Sequence, residues 1–291
     1  MQTVRLPGSF GVEIAGVDVA RASDAEMRAI AGTLYAERLV VLRGQRLDKP
    51  QYLAFGRRWG TPIPHVLDHL RMTEFPELMA VGNTEEKDRK EEIRNGAAFW
   101  HTDQSYEAVP ASLTMLYAIL VPRQGGETMY ADCARAYDAL SPAMKARIAG
   151  LEARHFYGAG SGKDGERIAS PIVTEEQEGK VPPIFHPIAK PHPVTGRMAL
   201  YAPAGTGFAV KGMADEAARD LLTELKDHVL KPEFRTMHKY RVGDLVLWDT
   251  WQTLHSAVPI ETPRSEEEKR LLWRISARGL PAFLDARAAA E

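Results

Sequence analysis

Apolar residues recur at intervals of three and four along three segments of the chain, which is the spacing of an amphipathic helix. The first segment opens with Ser23 and Glu26, an S-x-x-E pair typical of a helix capping box. Between the first two segments lies the apolar run 39–42, which indicates a buried strand. We therefore expect an α/β segment over about residues 1–60. The predicted helices begin near Ser23, near Asp48 and at Asp215, and the last one ends near Leu230.

The rest of the chain has the residue pattern of a β protein. Short apolar runs are separated by proline, glycine and polar clusters, and 19 prolines disfavour further long helices. The polar, glycine-rich stretch 158–180 is longer than a simple connection, and we expect it to form a lid loop. The predicted strands are Leu113–Val121, Gly126–Ala131, Met198–Ala202, Leu245–Trp248 and Leu271–Ile275.

Charge and length exclude several classes of function. The 291 residues include 37 Lys and Arg against 39 Asp and Glu, so no net positive charge is available to attract nucleic acid. The longest uncharged apolar stretch, 108–121, is shorter than the roughly 20 residues of a membrane helix. The N-terminus lacks the apolar core of a secretory signal. We expect a cytoplasmic protein without nucleic-acid or membrane partners.

The single cysteine, Cys133, restricts the chemistry further. It excludes an intramolecular disulfide and a thiolate metal cage, and we expect it to be a small buried hydrophobe. The motifs of phosphate loops, serine hydrolases, zinc proteases and dinucleotide-binding folds are absent from the sequence. A metal site in this chain would therefore use histidine and carboxylate ligands.

His101-Thr102-Asp103 is the only H-x-[DE] triplet in the chain, although a single triplet of this kind can arise by chance. On a strand, residues i and i+2 share a face, so His101 and Asp103 could bind one ion. A histidine from a distant strand would complete a 2-His-1-carboxylate triad, which leaves coordination positions open and suits non-haem Fe(II) oxygenases. His255 follows the late apolar run 245–248 and is the candidate.

Two arginines lie close together near the end of the chain. Alternation puts Arg270 and Arg274 on one face of the predicted strand, where burial would be costly without anionic partners. A dicarboxylate cosubstrate or an anionic substrate would supply such a partner through bidentate hydrogen bonds. A solvent-exposed face or an internal salt bridge is the alternative explanation of the pair.

Taken together, these motifs resemble those of the taurine dioxygenase / 2,4-dichlorophenoxyacetate dioxygenase family of Fe(II)- and 2-oxoglutarate-dependent oxygenases. The resemblance extends over nearly the whole chain, with the motifs in the family's order. The chain departs from the family at Thr250-Trp251, where many members carry Asn-Arg. The matching segments are Gly11–Asp18, Leu42–Gln45, Phe99–Asp103, Gly125–Thr128, His192–Arg197, Leu247–Asp249, His255 and the pair Arg270 and Arg274.

The resemblance implies a fold, an assembly and a reaction. The fold would be mainly β with flanking helices (α+β), a single domain over residues 1–291 built on a double-stranded β-helix, or jelly roll. A homo-oligomer, either a dimer or a tetramer, is also implied. The reaction would be O₂-dependent hydroxylation of a small anionic organic substrate, while 2-oxoglutarate is converted to succinate and CO₂. Where the hydroxylated carbon bears a heteroatom, the product would collapse with bond cleavage.

The resemblance also implies the roles of individual residues. Thr128 and Arg270 would hold the distal carboxylate of 2-oxoglutarate, and Arg274 would contact either that carboxylate or an anionic group of the substrate. The implied Fe(II) ligands are His101, Asp103 and His255.

Other residues have weaker claims on the site. Arg264 is a second candidate for the cosubstrate arginine, and His65 aligns loosely with a substrate contact. Tyr106, Phe156 and Phe208 are candidates for the pocket wall, with core packing as the favoured interpretation. Two other classes of function stay open, namely a metal-binding jelly-roll protein without turnover and a zinc-dependent hydrolase using the same triad. The arginine pair favours the oxygenase over both.

Overall fold

The computed structural model describes residues 1–84, 95–157, 160–161, 167–168 and 183–284, and within them the chain is mainly β with few helices. The α-helices are α1 (Asp24–Glu37), α2 (Lys49–Arg58), α3 (Cys133–Asp138), α4 (Pro142–Ile148) and α5 (Asp215–Val229). Short 3-10 turns cover Asp68–Leu70, Pro232–Phe234, Glu266–Glu268 and Ala282–Leu284.

The strands follow one another along the chain with short connections between most of them. They are β1 (Gln2–Arg5), β2 (Val12–Ala15), β3 (Leu39–Leu42), β4 (Thr61–Pro62), β5 (Met79–Gly82), β6 (Leu113–Leu120), β7 (Thr128–Asp132), β8 (Glu152–His155), β9 (Gly160–Ser161), β10 (Arg167–Ile168), β11 (Ile184–Pro187), β12 (Ala189–Pro191), β13 (Met198–Leu200), β14 (Gly207–Val210), β15 (Arg235–His238), β16 (Leu245–Asp249), β17 (Thr253–Ala257) and β18 (Leu271–Arg278).

The predicted N-terminal α/β segment is present, and its helices begin where local side chains can cap them. Ser23 accepts a hydrogen bond from the Glu26 amide, and the Glu26 carboxylate accepts one from the Ser23 amide. Asp48 and Gln51 form the same reciprocal box at the start of α2. These boxes satisfy amide groups that have no partner within the helix, which is why both boundaries could be predicted.

The major sheet has the strand order β1-β2-β3-β16-β6-β18-β4, with β5 also paired to β18. The N-terminal segment therefore extends this sheet instead of forming a separate one. Side chains alternate along each strand, so the two faces of the sheet contribute to different cores. On β16, Leu245 and Leu247 pack with α1 and α2, whereas Val246 and Trp248 belong to the inner core.

A minor sheet of order β15-β7-β17 lies across the inner core from the major sheet. Tyr130 of β7 and Leu272 of β18 both belong to that core. A third apolar cluster lies behind the minor sheet and includes Cys133 and Leu221. Cys133 is fully buried, so the prediction of a small buried hydrophobe is confirmed, and burial raises its pKa well above the ordinary value.

Two further expectations concern the predicted lid loop and membrane-spanning helices. The predicted lid loop, 158–180, lies outside the described residues except for the short paired strands β9 and β10. Among the described helices, none is both long and apolar enough to cross a membrane.

Candidate metal centre

The two histidines predicted as ligands meet through main-chain pairing. The His101 amide donates to the His255 carbonyl at 3.0 Å, and the His255 amide donates back at 2.9 Å. His255 lies on β17, but His101 forms only an isolated bridge and Asp103 already belongs to a turn. The prediction of a strand through both residues was therefore wrong. Pairing ends there because Gln104 takes a left-handed φ of 48°.

The three predicted ligands nevertheless converge. His101 Nε2 is 3.8 Å from Asp103 Oδ1, and His255 Nε2 is 3.6 Å from Asp103 Oδ2. One potential ligand atom from each residue lies within 4.8 Å of the others. Two imidazole nitrogens and a carboxylate in this arrangement form a 2-His-1-carboxylate group of the kind that binds Fe(II).

The protonation states of the three side chains suit a cation. Burial lowers the pKa of His255 to about 3, and burial also lowers the pKa of His101, so both rings are neutral. Burial alone would raise the pKa of Asp103, but the charge of Arg274 holds it well below the ordinary value. The site therefore presents two imidazole lone pairs and one carboxylate anion at neutral pH.

Hydrogen bonds show which atoms are left for a metal. His101 Nδ1 donates to the Phe99 carbonyl at 2.8 Å, which leaves the Nε2 lone pair directed away from the protein main chain. Asp103 Oδ2 is buried and has no hydrogen-bond partner among the described residues. A buried carboxylate oxygen without a partner is costly, and a bound cation beside His255 Nε2 would remove that cost. The residues therefore fit a divalent metal.

Two supports of the ligands were not predicted from the sequence. Gly205 has a φ of +78°, and a Cβ built on it would lie 2.8 Å from the Cβ of His101. Only glycine accepts both this backbone conformation and this close approach without strain. The Trp248 ring packs 4.8 Å from the His255 ring, which limits its rotation from the inner core. The Gly205 contact has no local sequence signal, because it joins residues 104 positions apart. Trp248 and His255 are only seven positions apart, but they lie on strands of two different sheets, so their contact depends on how the sheets pack.

The two arginines have different surroundings. Arg274 Nη2 is 2.6 Å from Asp103 Oδ1, so this guanidinium pairs with a metal-ligand carboxylate. Arg270 is only 3% exposed, and its Nε donates to the Gly126 carbonyl at 3.0 Å. Among the described residues it forms no ion pair, and burial lowers its pKa. Arg264 is exposed on the surface, so it is a poor candidate for the cosubstrate arginine.

Comparisons with known proteins agree with this geometry. The family model described as taurine catabolism dioxygenase TauD, TfdA family matches residues 2–276. The chain belongs to this dioxygenase family.

Named relatives and a solved structure show what the chain is similar to. It is 32% identical over 290 residues to (S)-phenoxypropionate/alpha-ketoglutarate-dioxygenase of Sphingobium herbicidovorans, covering 95% of this chain and 94% of that protein. It is 30% identical over 272 residues to alpha-ketoglutarate-dependent 2,4-dichlorophenoxyacetate dioxygenase of Burkholderia sp. (strain RASC), covering 88% and 90%. The crystal structure of AAD-2 in complex with Mn(II) and N-oxalylglycine superposes with a TM-score of 0.79 at 26% identity, covering 96% and 98%.

Aromatic side chains lie near the metal centre of this dioxygenase. Tyr106 is buried, and its ring is 4.7 Å from that of Tyr157. The His65 ring is 6.3 Å from Tyr157, and burial, with the charge of Arg274, lowers the pKa of His65 to about 3. Phe208 packs instead beneath the Arg154 guanidinium. Tyr106, Tyr157 and His65 are therefore better candidates for a substrate pocket than Phe208.

The Asp249 carboxylate supports the turn between β16 and β17, the strand that carries His255. It accepts hydrogen bonds from the Trp251 amide at 2.9 Å and from Gln252 Nε2 at 2.7 Å. His192 Nε2 donates to it at 3.0 Å, because His192 Nδ1 accepts from main-chain amides. These contacts give Asp249 a structural role at the end of β16.

Proposed function

We propose that the chain hydroxylates a small anionic organic substrate, with bond cleavage where the hydroxylated carbon bears a heteroatom. Family membership makes it a 2-oxoglutarate-dependent dioxygenase that uses Fe(II) and O₂. The observation that carries the proposal is a buried arginine, Arg270, which forms no ion pair among the described residues. It directly precedes β18, the strand that carries Arg274 beside the metal ligands.

His101, Asp103 and His255 would hold the Fe(II) ion. When bound, the metal supplies the redox chemistry by which O₂ oxidises the cosubstrate and the substrate. The protein would fix the ligands in their neutral and anionic forms and keep water from the centre. Arg274 holds the Asp103 carboxylate through Oδ1, which leaves Oδ2 for the metal. This division of the two oxygens supports binding of the metal through one carboxylate atom.

The cosubstrate would bind with its distal carboxylate on Arg270 and Thr128. N-oxalylglycine, named with the similar AAD-2 structure, is an isostere of 2-oxoglutarate with the same two terminal carboxylates. Arg270 has its Nε bonded to the main chain, so its two terminal nitrogens remain for a bidentate pair. Such a pair would compensate the buried guanidinium, which the Gly126 carbonyl and the more distant Glu127 carboxylate do only in part.

The primary substrate would be a small anion that packs against aromatic side chains. Two relatives are named for phenoxypropionate and 2,4-dichlorophenoxyacetate, which are aryloxy carboxylates. The rings of Tyr106 and Tyr157 support a planar substrate, and the positive charge of Arg274 supports an anionic one. We therefore propose an aromatic carboxylate as the first class to test, with His65 near the pocket as a neutral donor.

We also propose that the chain is one domain with a jelly-roll core, in which the major and minor sheets form the double-stranded β-helix. The hydrogen bonds between His101 and His255 support a single domain, because a division near residue 150 would separate the two ligands. A homo-oligomer, either a dimer or a tetramer, and a cytoplasmic location are further parts of this proposal.

The test is succinate release from 2-oxoglutarate, measured with Fe(II), O₂ and a panel of aryloxy carboxylates, sulfonates and aliphatic acids. We expect turnover by the wild type and its loss in His101→Ala and Asp103→Ala, which remove metal ligands. His69→Ala, which alters an exposed histidine, is the matched control and should keep full activity. Metal binding without succinate release from any candidate would favour a binding protein, and cleavage supported by zinc alone would favour a hydrolase.

A further inference from the structure

Three hydroxyl groups form a buried cluster in the inner core. Thr128 Oγ1 is hydrogen bonded to Tyr240 Oη at 2.9 Å, and Tyr240 Oη is 3.4 Å from Tyr130 Oη. All three side chains are buried. Strand geometry produces the cluster, because Thr128 and Tyr130 are two residues apart on β7 and share a face. Tyr240 joins them because β15 pairs with β7, with His238 opposite Thr128.

The cluster lies beside the arginine that lacks an anion. The Arg270 guanidinium is 5.7 Å from the centre of the Tyr240 ring, and both Tyr240 and Tyr130 interact electrostatically with it. A Cβ on Gly126 would lie 2.9 Å from Arg270 Cδ, so glycine at this position leaves room for the arginine side chain. One buried cation and three hydroxyl groups thus occupy the same region of the core.

Hydroxyl groups in this arrangement can bind an anion by donating hydrogen bonds to it. Burial raises the pKa of Tyr130 and of Tyr240, so both phenols keep their protons at neutral pH. Without a ligand the hydroxyls satisfy one another, and each can rotate its proton toward an acceptor that enters. An acceptor with a full negative charge gains most from such preorganised donors in a water-poor site. A phenylalanine at either tyrosine position would fill the same space without a donor.

We propose that Tyr240 and Tyr130 are cosubstrate-binding residues, which together with Thr128 and Arg270 form a four-residue site for the distal carboxylate of a 2-oxo dicarboxylic acid. The inference rests on the proposed function, because it assigns these tyrosines to the cosubstrate pocket. It goes further by making selection of a dicarboxylate depend on hydroxyl donors as well as on the arginine. Tyr130 also pairs with His255 across β7 and β17, so it joins the pocket to the metal centre.

The test compares two 2-oxo acids of equal chain length. Binding of 2-oxoglutarate and of 2-oxopentanoate, which has a methyl group in place of the distal carboxylate, is measured by calorimetry on the Mn(II)-loaded protein. We expect Tyr240→Phe to weaken 2-oxoglutarate binding about tenfold or more, the usual effect of losing a hydrogen bond to a charged group. Binding of 2-oxopentanoate should stay unchanged, since it offers no acceptor.

Tyr117→Phe is the matched control, because Tyr117 is a buried tyrosine whose hydroxyl bonds to the main chain of residues 45 and 47. It should leave both affinities unchanged. Tyr130→Phe provides a second variant, with a smaller loss expected at its longer distance of 3.4 Å. Equal weakening of both acids, or no weakening of either in both variants, would overturn the assignment. A wild type that binds neither acid would instead refute the proposed function.

Discussion

Arg270→Met should have opposite effects on stability and on cosubstrate binding. Arg270 is 3% exposed and forms no ion pair among the described residues, so in the ligand-free protein its charge is only partly compensated, by the Gly126 carbonyl and the more distant Glu127 carboxylate. Methionine has a long unbranched side chain that can fill most of the same space without charge. We therefore expect the variant to be more stable than the wild type without ligand and unable to bind 2-oxoglutarate tightly.

The magnitudes follow from the contacts of the guanidinium. Replacing poorly compensated buried charge with apolar groups of similar volume stabilises proteins by about 1–4 kcal/mol. Because the variant also loses the hydrogen bond to Gly126, we expect Arg270→Met to raise the free energy of unfolding by about 1–3 kcal/mol. Two charge-assisted hydrogen bonds to a carboxylate are together worth about 3–5 kcal/mol, which corresponds to roughly a 10²–10⁴-fold loss of affinity. The larger effect should therefore be on binding.

Urea unfolding with and without Mn(II) and N-oxalylglycine would measure both effects. At 100 times its dissociation constant, the ligand should stabilise the wild type by about 2.7 kcal/mol and the variant by less than about 0.5 kcal/mol, so the difference in stability should shift by more than about 2 kcal/mol in favour of the wild type. Arg274→Met is the control, and it should lower the free energy of unfolding, because Arg274 pairs with Asp103 at 2.6 Å and its loss leaves a buried carboxylate without a partner. If Arg270→Met unfolds more easily than the wild type without ligand, the argument from uncompensated charge is wrong.

Two further predictions concern the supports of the site and of the fold. Gly205→Ala should lower the free energy of unfolding by about 2–4 kcal/mol and weaken Mn(II) binding at least tenfold, because the added Cβ would displace His101. Gly196→Ala is the control, since Gly196 also has a positive φ but has open space around it. Calorimetric titration of both variants should show an unchanged Mn(II) affinity for Gly196→Ala. Asp244→Asn should cost about 2–4 kcal/mol at pH 7 in chemical unfolding, because hydrogen bonds from His238 and Arg43 hold the pKa of Asp244 below its ordinary value. That stabilisation is complete above the unfolded pKa of about 4 and is lost as pH falls below it, so a wild type and variant that differ equally at pH 3 and pH 7 would contradict the reasoning.

Elements with local causes could be predicted from the sequence. The capping boxes determine where α1 and α2 begin, and the helix predicted to end near Leu230 ends one residue earlier, at Val229. The alternation of β18 was also predicted, since Leu272 faces the inner core and Ile275 packs toward α1 and α2. In each case the deciding interactions join residues only a few positions apart, so the pattern is visible in the sequence itself.

Features that depend on the register between distant strands could not be predicted in the same way. The short helices α3 and α4 are too brief to establish a periodicity. The contact between Thr128 and Tyr240 spans 112 positions and exists only because β15 pairs with β7. Gly205 is one of 23 glycines, and nothing near it in the sequence indicates that it touches His101. Tertiary structure alone brings these residues to the site.

Arg270 and Arg274, before and on β18, explain why the ligand-free site is preorganised for ligands and why this preorganisation lowers stability. Arg274 has its anion within the protein, so it can hold Asp103 in place before any metal binds. Arg270 forms no ion pair among the described residues and interacts only at longer range with Glu127, and it is already buried when the cosubstrate arrives. A carboxylate that enters therefore meets a cation without its own water shell, and the attraction is stronger than at the surface. Burial of Arg270 thus lowers the stability of the ligand-free protein and raises its affinity for a dicarboxylate. For this reason we expect the Arg270 and Arg274 variants to change the free energy of unfolding in opposite directions.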